Sequence, residues 1–409
     1  LPLKVPYLSV PDSRCVLGRL AVALYGTPID ELSVVGVTGT KGKTTTSWIL
    51  DSVFRSAGKT SALFGTVYNR VGTRMYPSDN TTPGCLQLHR YLKELADQGG
   101  THAVLEVSSH GILQRRTSGV DFRCGIFTNV APEHLDYHKT FESYVETKVS
   151  FFTGLDRRAF AILPREEPAS ATIASRAVAN IAWYGSESQD GVEQLRMTPE
   201  GLSFRWKGTS VRSRMWGYHN LVNILGAMTA AECLGFPREA IAAGIEAAVA
   251  PPGRLEEVAH NHPFHVFVDY AHTDGSLETV LRALRAATPG RLITIFGCGG
   301  DRDRTKRPRM GRVAEKWSDH VVVTSDNPRS EDAWRVIEDI RAGLSRPDEA
   351  VFEIDRREAI ALGIRMARAN DTVLIAGKGH ETYQEIQGRR IHFDDREVAR
   401  EFLVEGPAL

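Results

Sequence analysis

The sequence has little cysteine, no long apolar run and no excess of charge. Its 409 residues include only five cysteines, and these lack the paired spacing of a disulfide framework or a zinc site, which indicates reduced residues in a cytoplasmic protein. No run of about 18 uncharged apolar residues is present, so a membrane-spanning helix is not expected. The 50 basic and 50 acidic side chains balance, which argues against bulk electrostatic capture of nucleic acid or of an acidic membrane. The start, LPLKVPYLSVPDSR, lacks the layout of a signal peptide.

Short apolar runs alternate with longer amphipathic segments along the chain. Runs such as ELSVVGVTG, THAVLEVSS, HVFVDYAH and DTVLIAGKG are typical of buried strands that lead into polar loops, and KTTTSWILDSVFRSAG is typical of a helix. This alternation predicts an α/β protein with parallel sheets covered by helices. Polar residues cluster just after the strands, where open parallel sheets bind their ligands.

The strongest motif is the loop within VVGVTGTKGKTTT, which follows an apolar strand. Glycines let backbone N–H groups close around phosphate oxygens, and a helix N-terminus adds a favourable dipole. We expect Lys43 to contact the outer phosphates of a nucleotide and the Thr44 hydroxyl to reach Mg²⁺. A glycine-rich turn without a nucleotide is the alternative, and the loop alone leaves kinase, motor, switch and ligase open. The predicted loop and helix start comprise Gly39, Thr40, Lys41, Gly42, Lys43, Thr44 and Thr45.

Two interruptions predict the domain organisation. Residues 186–216 alternate polar and apolar positions, which predicts antiparallel strands inserted in, or attached to, the first sheet. A Pro-Pro-Gly turn at 251–253 ends the preceding helix and marks a boundary. The predicted parts are a short N-terminal segment at 1–32, a central P-loop ATP-binding domain at 33–252 and a Rossmann-like C-terminal domain at 253–409.

An acidic residue and two histidines follow the strands of the predicted central domain. Glu106 ends an apolar strand, where a carboxylate must be paired or bound to metal, and we predict a Mg²⁺ ligand that faces the phosphates. A buried glutamate satisfied by a local hydrogen bond is the alternative. His134 and His138 lack the further soft ligand that zinc requires, and magnesium prefers oxygen, so loop hydrogen bonding is as compatible with them as a functional role.

Polar loops also follow the strands of the predicted C-terminal domain. Asp269 is placed to hold ribose hydroxyls. The loop GCGGDRDRTKRPRMG is rich in arginine, which suits a phosphate or a carboxylate, although a solvated basic loop is the alternative. Arg329 and Glu381 together predict a trap for a zwitterion, in which one side chain holds a carboxylate and the other an ammonium group.

Ten segments in order resemble the Mur ligases, the ATP-dependent amide-forming enzymes of peptidoglycan synthesis. They include TGTKGKTTT, LEVSSHGILQRR, HLDYHKTFESYVETK, GYHNLVN, PPGRLE, VDYAHTDGSLE, DNPRSE and GKGHETYQ, and they extend from about Val34 to Phe402. The segments are most similar to the branch that adds the third residue of the stem peptide, and the Asn-Pro-Arg sequence resembles the version that selects meso-diaminopimelate.

The resemblance implies a role for each matching residue. Catalysis is implied for Lys43, Glu106, His134 and Lys148, and Mg²⁺ binding for Thr44, Glu106, His134 and Lys148, the last as a carbamate. Nucleoside contacts are implied for Asn220, Asn223, Arg254 and Asp269. The acceptor site would comprise Thr81, Thr82, Ser108, Gln114 and Arg116, and the amino-acid site Asp326, Asn327, Arg329, Gly377 and Glu381; Arg302, from the basic loop, is also assigned to substrate binding.

The implied activity is ATP- and Mg²⁺-dependent amide bond formation through an acyl phosphate on a UDP-MurNAc-dipeptide-like acceptor. We expect a monomer whose partners are a small-molecule amino acid and a carboxylate acceptor, without nucleic acid or membrane. About 35 residues precede the phosphate loop, too few for the family's UDP-binding domain, so a fragment and a short form with a non-UDP acceptor both stay open. The alternative activity is therefore a Mur-like amino-acid ligase of specialised metabolism that acts on a non-UDP peptide or small carboxylic acid. A noncatalytic nucleotide-binding homologue and a P-loop kinase are further alternatives.

Overall fold

The computed structural model describes residues 9–185, 191–198 and 201–405. The chain divides into two compact units, Leu1–Val249 and Ala250–Leu409, called here the first and second units. The predicted domain boundary after residue 252 lies close to this division, and both predicted boundaries stay predictions.

The first unit is built on an eight-stranded sheet. Six of its strands run parallel, and a short antiparallel pair, β3 and β4, extends one edge. The central strand pairs with β5 on one side and β6 on the other, and five of its six residues are buried because helices cover both faces. The strands are β1 (Ser33–Thr38), β2 (Ser61–Phe64), β3 (Tyr68–Val71), β4 (Arg74–Pro77), β5 (His102–Glu106), β6 (Phe122–Phe127), β7 (Phe160–Pro164) and β8 (Asn180–Tyr184).

The alternating segment predicted at 186–216 forms a sheet of its own. Strands β9 (Val192–Thr198), β10 (Gly201–Trp206) and β11 (Thr209–Ser213) pair antiparallel with one another, and none is hydrogen-bonded to the larger sheet among the described residues. Antiparallel strands are therefore confirmed, but their predicted insertion in or attachment to the first sheet is wrong. The apolar face of this sheet, which includes Leu202, Phe204 and Trp206, is buried in the same core as helix residues such as Ile245. Residues 186–190 and 199–200 of the predicted segment lie outside the described residues.

The helices of the first unit follow from apolar residues at helical spacing. In CLQLHRYLKELAD, the buried Leu88, Tyr91, Leu92 and Leu95 lie on one face and pack against the sheet. The helices are α1 (Ser13–Tyr25), α2 (Lys43–Ser56), α3 (Cys85–Asp97), α4 (Ser109–Leu113), α5 (Leu135–His138), α6 (Phe141–Thr153), α7 (Ala169–Arg176), α8 (Tyr218–Cys233) and α9 (Arg238–Ala247), with a 3-10 turn at Ile29–Glu31.

The second unit is built on a six-stranded sheet in the order β12-β13-β17-β14-β15-β16, which is parallel except for β12. Its central strand, β17, is buried at every residue. The strands are β12 (Glu256–Glu257), β13 (His265–Asp269), β14 (Leu292–Phe296), β15 (His320–Val323), β16 (Val351–Phe352) and β17 (Thr372–Ala376), followed by the hairpin β18 (Tyr383–Ile386) and β19 (Arg389–His392). The helices are α10 (Asp274–Ala287), α11 (Lys306–Trp317), α12 (Ala333–Arg341), α13 (Arg356–Met366) and α14 (Asp395–Glu405), with a 3-10 turn at Pro347–Glu349.

The predicted α/β class is confirmed, with a P-loop parallel sheet followed by a second, Rossmann-like parallel sheet. Within the described residues, no helix has the length and apolar character needed to cross a membrane. In each unit the parallel strands share a direction, so the loops after their carboxyl ends gather at one edge of the sheet. Many of the candidate residues lie in these loops, and others, such as Lys148 and Asn223, lie on helices.

Candidate active site

The phosphate loop of the first unit connects β1 to α2. Gly39 has φ of +155°, and a Cβ there would collide with Thr128 Oγ1. Gly42 has φ of +82° and lies so close to α8 that a Cβ would be 2.5 Å from Asn223 Oδ1. Gly42 is also the N-cap of α2, so no cap side chain bonds to the first turn, and the N-terminus of a helix favours an anion.

Two lysine side-chain nitrogens donate to one carbonyl oxygen of this loop. Lys43 Nζ lies 2.8 Å from Gly39 O, and Lys148 Nζ, from α6, lies 2.9 Å from the same oxygen. Lys148 is 1% exposed, and its Nζ lies 4.5 Å from the ring centroid of Tyr144. Burial and the nearby Lys43 hold the pKa of Lys148 well below its usual value, although Glu133 acts in the opposite direction. The site therefore makes the ammonium form of Lys148 less favourable than it is in water.

Glu106 lies at the end of β5, beside the phosphate loop. Its side chain is fully buried and accepts hydrogen bonds from Thr44 Oγ1 at 2.9 Å, Thr66 N at 2.9 Å and Thr66 Oγ1 at 3.0 Å. The structure thus brings together two predicted metal ligands, Thr44 and Glu106. The same contacts fit the alternative, a buried glutamate that is satisfied by local hydrogen bonds, so the metal-binding role of Glu106 stays a prediction.

His134 and His138 have different environments. His134 is the N-cap of α5 with φ of +57°, its side chain is half exposed, and its ring centroid lies 5.0 Å from that of His110. His138 is buried, its Nε2 is 2.9 Å from Ser109 Oγ, and burial lowers its pKa, which favours a neutral ring. Within the part of the chain that the structure describes, no group of three or more His, Cys, Asp and Glu side chains gathers as a metal site. A cation here would therefore require other oxygen ligands as well.

The residues predicted to hold the acceptor form one hydrogen-bonded group next to Glu106. Thr82 Oγ1 donates to Glu106 O at 2.8 Å and accepts from Ser108 N at 3.0 Å. Arg116 donates from Nη1 to Thr82 O at 2.9 Å and from Nε to Gln114 Oε1 at 2.9 Å. Thr81 joins the group through its hydroxyl, which lies 3.2 Å from Thr66 Oγ1.

The four predicted nucleoside contacts are divided between the units. In the first unit, Asn223 lies against Gly42, and its Nδ2 donates to Asn220 Oδ1 at 3.3 Å. In the second unit, the Arg254 guanidinium lies 4.7 Å from the ring centroid of Tyr270. Asp269 accepts from Leu255 N at 2.7 Å and so holds the segment that carries Arg254.

The predicted amino-acid residues of the second unit gather after β15 and β17. Asn327 Nδ2 donates to Glu381 Oε2 at 2.7 Å, and the fully buried Lys378 donates to Asn327 Oδ1 at 3.3 Å. Gly377 has φ of +117°, and a Cβ there would be 2.6 Å from Asp326 Oδ2. Burial and Asp326 raise the pKa of Glu381, against the opposing effects of Lys378 and Asn327. The carboxylates of Asp326 and Glu381 therefore interact electrostatically, and Lys378 Nζ lies 3.5 Å from Glu381 Oε2.

Arg329 is held in a strained backbone conformation beside this pocket. Its φ is +53°, its Nη1 donates to Gly300 O at 2.7 Å, and its N–H donates to Glu385 O at 2.9 Å. Burial and Glu381 raise the pKa of Tyr383, whereas the charges of Arg390 and Arg329 oppose this shift, so Glu381 and Arg329 both act on one ring. A left-handed conformation outside glycine is uncommon and often marks a functional position.

The predicted basic loop is largely committed to internal contacts. Arg307 is fully buried, with Nη2 2.7 Å from Glu331 Oε1 and Nη1 2.8 Å from Asp339 Oδ2. Arg304 pairs with the same Asp339, and Lys306 Nζ donates to His272 O. Within the described residues, Arg302 has neither an ion pair nor a hydrogen bond from its side chain, so the structure narrows the predicted anion-binding cluster to Arg302.

Sequence reasoning missed three residues that shape these sites. Thr66 supplies two of the donors to Glu106, and Thr128 Oγ1 donates to Lys41 O at 2.6 Å. Neither residue belongs to a recognisable motif, because Thr66 follows β2 and Thr128 follows β6, away from the phosphate loop in the sequence. Tyr144 precedes Lys148 by one helical turn, a spacing that could have revealed it.

Comparisons with known proteins identify the family. A family model described as "Mur ligase middle domain" matches residues 37–231, and one described as "Mur ligase, glutamate ligase domain" matches residues 253–379. The chain belongs to the Mur ligase family. This Mur ligase is 43% identical to a UDP-N-acetylmuramoyl-L-alanyl-D-glutamate--2,6-diaminopimelate ligase of Geobacter metallireducens, with 97% of this chain and 84% of the relative covered. It is 39% identical to the ligase of the same name from Aquifex aeolicus, with 98% and 83% covered.

Solved structures show the same relationship. A structure of a ligase with that name has a TM-score of 0.72 at 34% identity and covers 97% of this chain and 84% of its own. A folylpolyglutamate synthase of Mycobacterium tuberculosis, solved with ADP and AMPPCP, has a TM-score of 0.74 at 18% identity, with 96% of each chain covered, which shows the shared fold alone.

Family membership confirms the predicted activity, an ATP-dependent acid–amino-acid ligase of peptidoglycan synthesis. The prediction of a simple small-molecule amino acid and carboxylate acceptor as partners is wrong. The relatives are named for UDP-N-acetylmuramoyl-L-alanyl-D-glutamate and 2,6-diaminopimelate, which are defined and more elaborate substrates. The error arose because the residues alone indicate charge and not the size or the sugar of a ligand.

Two arginines of the Mur ligase's basic loop should differ in their effect on folding. Arg307→Ala should lower the free energy of unfolding of the second unit by about 2 kcal/mol or more, somewhat less than a fully buried pair because Glu331 and Asp339 keep some contact with water. Arg302→Ala, five residues earlier, should change it by no more than about 0.5 kcal/mol. Urea unfolding followed by circular dichroism measures both, and equal losses would contradict the assignment.

The ion pair of Arg307 and Glu331 also predicts that the free energy of unfolding depends on pH. Hydrogen bonds from Arg307 lower the pKa of Glu331 from 4.5 to about 2. A pKa that is depressed in the folded state contributes stability above the unfolded value, and this contribution is lost as the pH falls from about 4.5 towards 2. Arg307→Ala should flatten that part of the stability profile, whereas Arg302→Ala should leave it unchanged.

Proposed function

We propose that this Mur ligase joins 2,6-diaminopimelate to UDP-N-acetylmuramoyl-L-alanyl-D-glutamate. The observation that carries the amino-acid assignment is the cluster after β15 and β17, where the charges of Asp326 and Glu381 interact and where Glu381 and Arg329 both act on the ring of Tyr383. Diaminopimelate presents an ammonium and a carboxylate group far from its reacting amine, so it needs opposite charges in one pocket. The relatives that carry this name support the proposal.

The acceptor site in this proposal is the hydrogen-bonded group of Thr81, Thr82, Ser108, Gln114 and Arg116. Arg116 already uses its fork on Gln114 and Thr82, which fixes the position of its charge. This group lies next to Glu106 and hence to the phosphate loop. An acceptor carboxylate bound here would therefore lie close to the phosphates.

We assign Mg²⁺ to Thr44, Glu106, His134 and a carbamate on Lys148. The residues fit a hard cation because Glu106 and Thr44 offer oxygens, and a neutral, buried Lys148 amine is suited to capture CO₂. A carbamate would convert the buried amine, which loses a proton as it bonds to CO₂, into an oxygen ligand. When bound, Mg²⁺ would neutralise charge that develops on the transferred phosphoryl group.

The residues then divide the reaction between them. The loop N–H groups, the α2 N-terminus and Lys43 hold the phosphates, so that the acceptor carboxylate oxygen attacks the γ-phosphorus and ADP leaves. Lys43 offsets negative charge in this step. Asp326, Glu381 and Arg329 orient diaminopimelate so that its amine nitrogen attacks the acyl carbon, the amide forms, and phosphate leaves as the amine gives up its proton. A cytoplasmic location, where ATP is made and used, belongs to the same proposal.

Phosphate release tests the function directly. With ATP, Mg²⁺ and UDP-N-acetylmuramoyl-L-alanyl-D-glutamate, release should depend on diaminopimelate, and mass spectrometry should show one amide product. Lysine should be a much poorer substrate, because it lacks the second carboxylate that Arg329 would bind. Turnover of free dipeptide at an equal rate would contradict the UDP-linked acceptor, and a phosphorylated product without an amide would indicate a kinase.

Lys148→Ala tests the carbamate. We expect the variant to lose activity by about a hundredfold or more, since loss of one electrostatic contributor to a transition state has effects of that order. Added formate should restore part of the activity by supplying a carboxylate. Lys59→Ala, an exposed lysine of the same unit, is the control and should retain full turnover; a similar rate in the Lys148 variant would refute the carbamate.

Arg329→Ala tests the amino-acid pocket. The KM for diaminopimelate should rise by about tenfold or more, because a charge-assisted hydrogen bond contributes about 1.5–3 kcal/mol, while the KM for ATP should stay within twofold. Arg335→Ala, an exposed arginine of α12, is the matched control. An equal rise in both KM values would show that the pocket has been misplaced.

A further inference from the structure

A fully buried ion pair joins the starts of α13 and α14 in the second unit. Arg356 Nε lies 2.7 Å from Asp395 Oδ1, and Arg356 Nη2 lies 2.7 Å from Asp395 Oδ2, with both side chains 0% exposed. This is the bidentate geometry in which guanidinium and carboxylate groups fix each other's orientation. Asp395 thus determines where the remaining N–H groups of Arg356 point.

Those remaining N–H groups reach two strand ends. Nη2 donates to Ala376 O at 3.1 Å, and Nη1 donates to Ser325 O at 3.3 Å. Ala376 is the last residue of β17, and Ser325 follows the end of β15. β14 separates these strands in the sheet, so no strand pairing joins them directly. One guanidinium group therefore links the two strand ends directly, in addition to the pairing of each strand with β14.

The residues that come next in the chain form the amino-acid pocket. Asp326 and Asn327 follow Ser325, and Gly377 follows Ala376. Gly377 lies so close to the Asp326 carboxylate that a Cβ would be 2.6 Å from Oδ2, so a small change in the separation of the strand ends would move one wall of the pocket against the other.

Arg356 also acts on the pocket through its charge. Burial works to lower its pKa, but the carboxylates of Asp395, Asp326 and Glu381 outweigh that effect and raise it. The guanidinium group therefore lies within the field of both pocket carboxylates. It reduces the repulsion between Asp326 and Glu381, which must be held together to receive an ammonium group.

We propose that Arg356, oriented by Asp395, is a positioning residue that presets the spacing and charge of the pocket for the incoming diamino acid. The inference rests on the proposed function, because diaminopimelate is the amino acid in question. If the ion pair were purely structural, two apolar side chains of similar volume could replace it without loss of activity. Such replacements of buried ion pairs often leave the free energy of unfolding unchanged or increase it. The positioning role instead predicts a fold that survives the exchange and a pocket that does not.

A second ion pair in the same sheet is a matched control. Arg291 Nη2 lies 2.6 Å from Asp371 Oδ2, and Arg291 Nη2 also donates to Met366 O at 2.8 Å. Asp371 precedes β17, so this pair lies at the opposite end of the strand whose last residue bonds to Arg356. Both pairs join an arginine to an aspartate, but they lie at opposite ends of β17, and the Arg291 side chain is 31% exposed whereas that of Arg356 is fully buried.

The experiment compares Arg356→Met/Asp395→Leu with Arg291→Met/Asp371→Leu in the full chain, by steady-state phosphate release. The first double variant should retain its circular dichroism spectrum and raise the KM for diaminopimelate about tenfold or more, with the KM values for ATP and acceptor within twofold. The control should keep all three KM values within twofold. An unchanged KM for diaminopimelate in the first variant, or the same rise in the control, would overturn the proposal.

Two further measurements keep the outcomes separate. If the double variant fails to fold, Arg356→Lys decides, since it keeps the buried charge but loses the planar fork; a selective rise in the KM for diaminopimelate supports positioning, and unchanged KM values refute it. The wild-type protein is assayed first. Failure of the wild type to use diaminopimelate would refute the proposed function, whereas wild-type turnover with unaltered variants would refute the positioning role alone.

Discussion

The chemistry that we propose for the first unit depends on one carbonyl oxygen, that of Gly39, which accepts hydrogen bonds from Lys43 and Lys148. Two ammonium groups on one oxygen repel each other, and Lys148 has almost no water to screen it. The result is a lysine that is more readily neutral, next to a loop suited to phosphate. Gly39 must be glycine for this arrangement, because any side chain there would meet Thr128. Nucleotide binding and the chemistry of the lysine thus share one backbone position.

In the second unit, buried cations also lie beside the candidate site, but there they lie near carboxylates. The proposed amino-acid site needs two carboxylates close together, and such groups repel each other unless a positive charge lies nearby. Lys378 and Arg356 supply that charge while remaining fully buried, so it stabilises the pocket without facing the solvent. In both units the cations bond to backbone carbonyls at or near strand ends, where the direction of parallel strands gathers the loops. The two units therefore support their sites by the same principle.

Local patterns in the sequence predicted the sheets and the phosphate loop, because strand, turn and helix signals lie within a few residues of one another there. They also predicted Glu106 beside the loop, since a carboxylate at the end of an apolar strand has few other uses. They did not predict that Arg307 is a core residue, because its partners Glu331 and Asp339 lie one loop and one helix away. The separate sheet of β9, β10 and β11 was missed for a similar reason, since alternation predicts strands but not the sheet to which they pair.

Arg329 combines the charge that we propose for amino-acid binding with an unfavourable backbone conformation, at φ of +53°. A non-glycine residue in the left-handed region costs about 1–2 kcal/mol. The hydrogen bonds that Arg329 donates to Gly300 O and Glu385 O offset this cost. Attempts to redesign amino-acid selectivity at this position therefore face two constraints at once. Asparagine or glycine would suit the turn but remove the cation, and a β-branched residue would satisfy neither, so variant libraries should vary the partner loop together with residue 329.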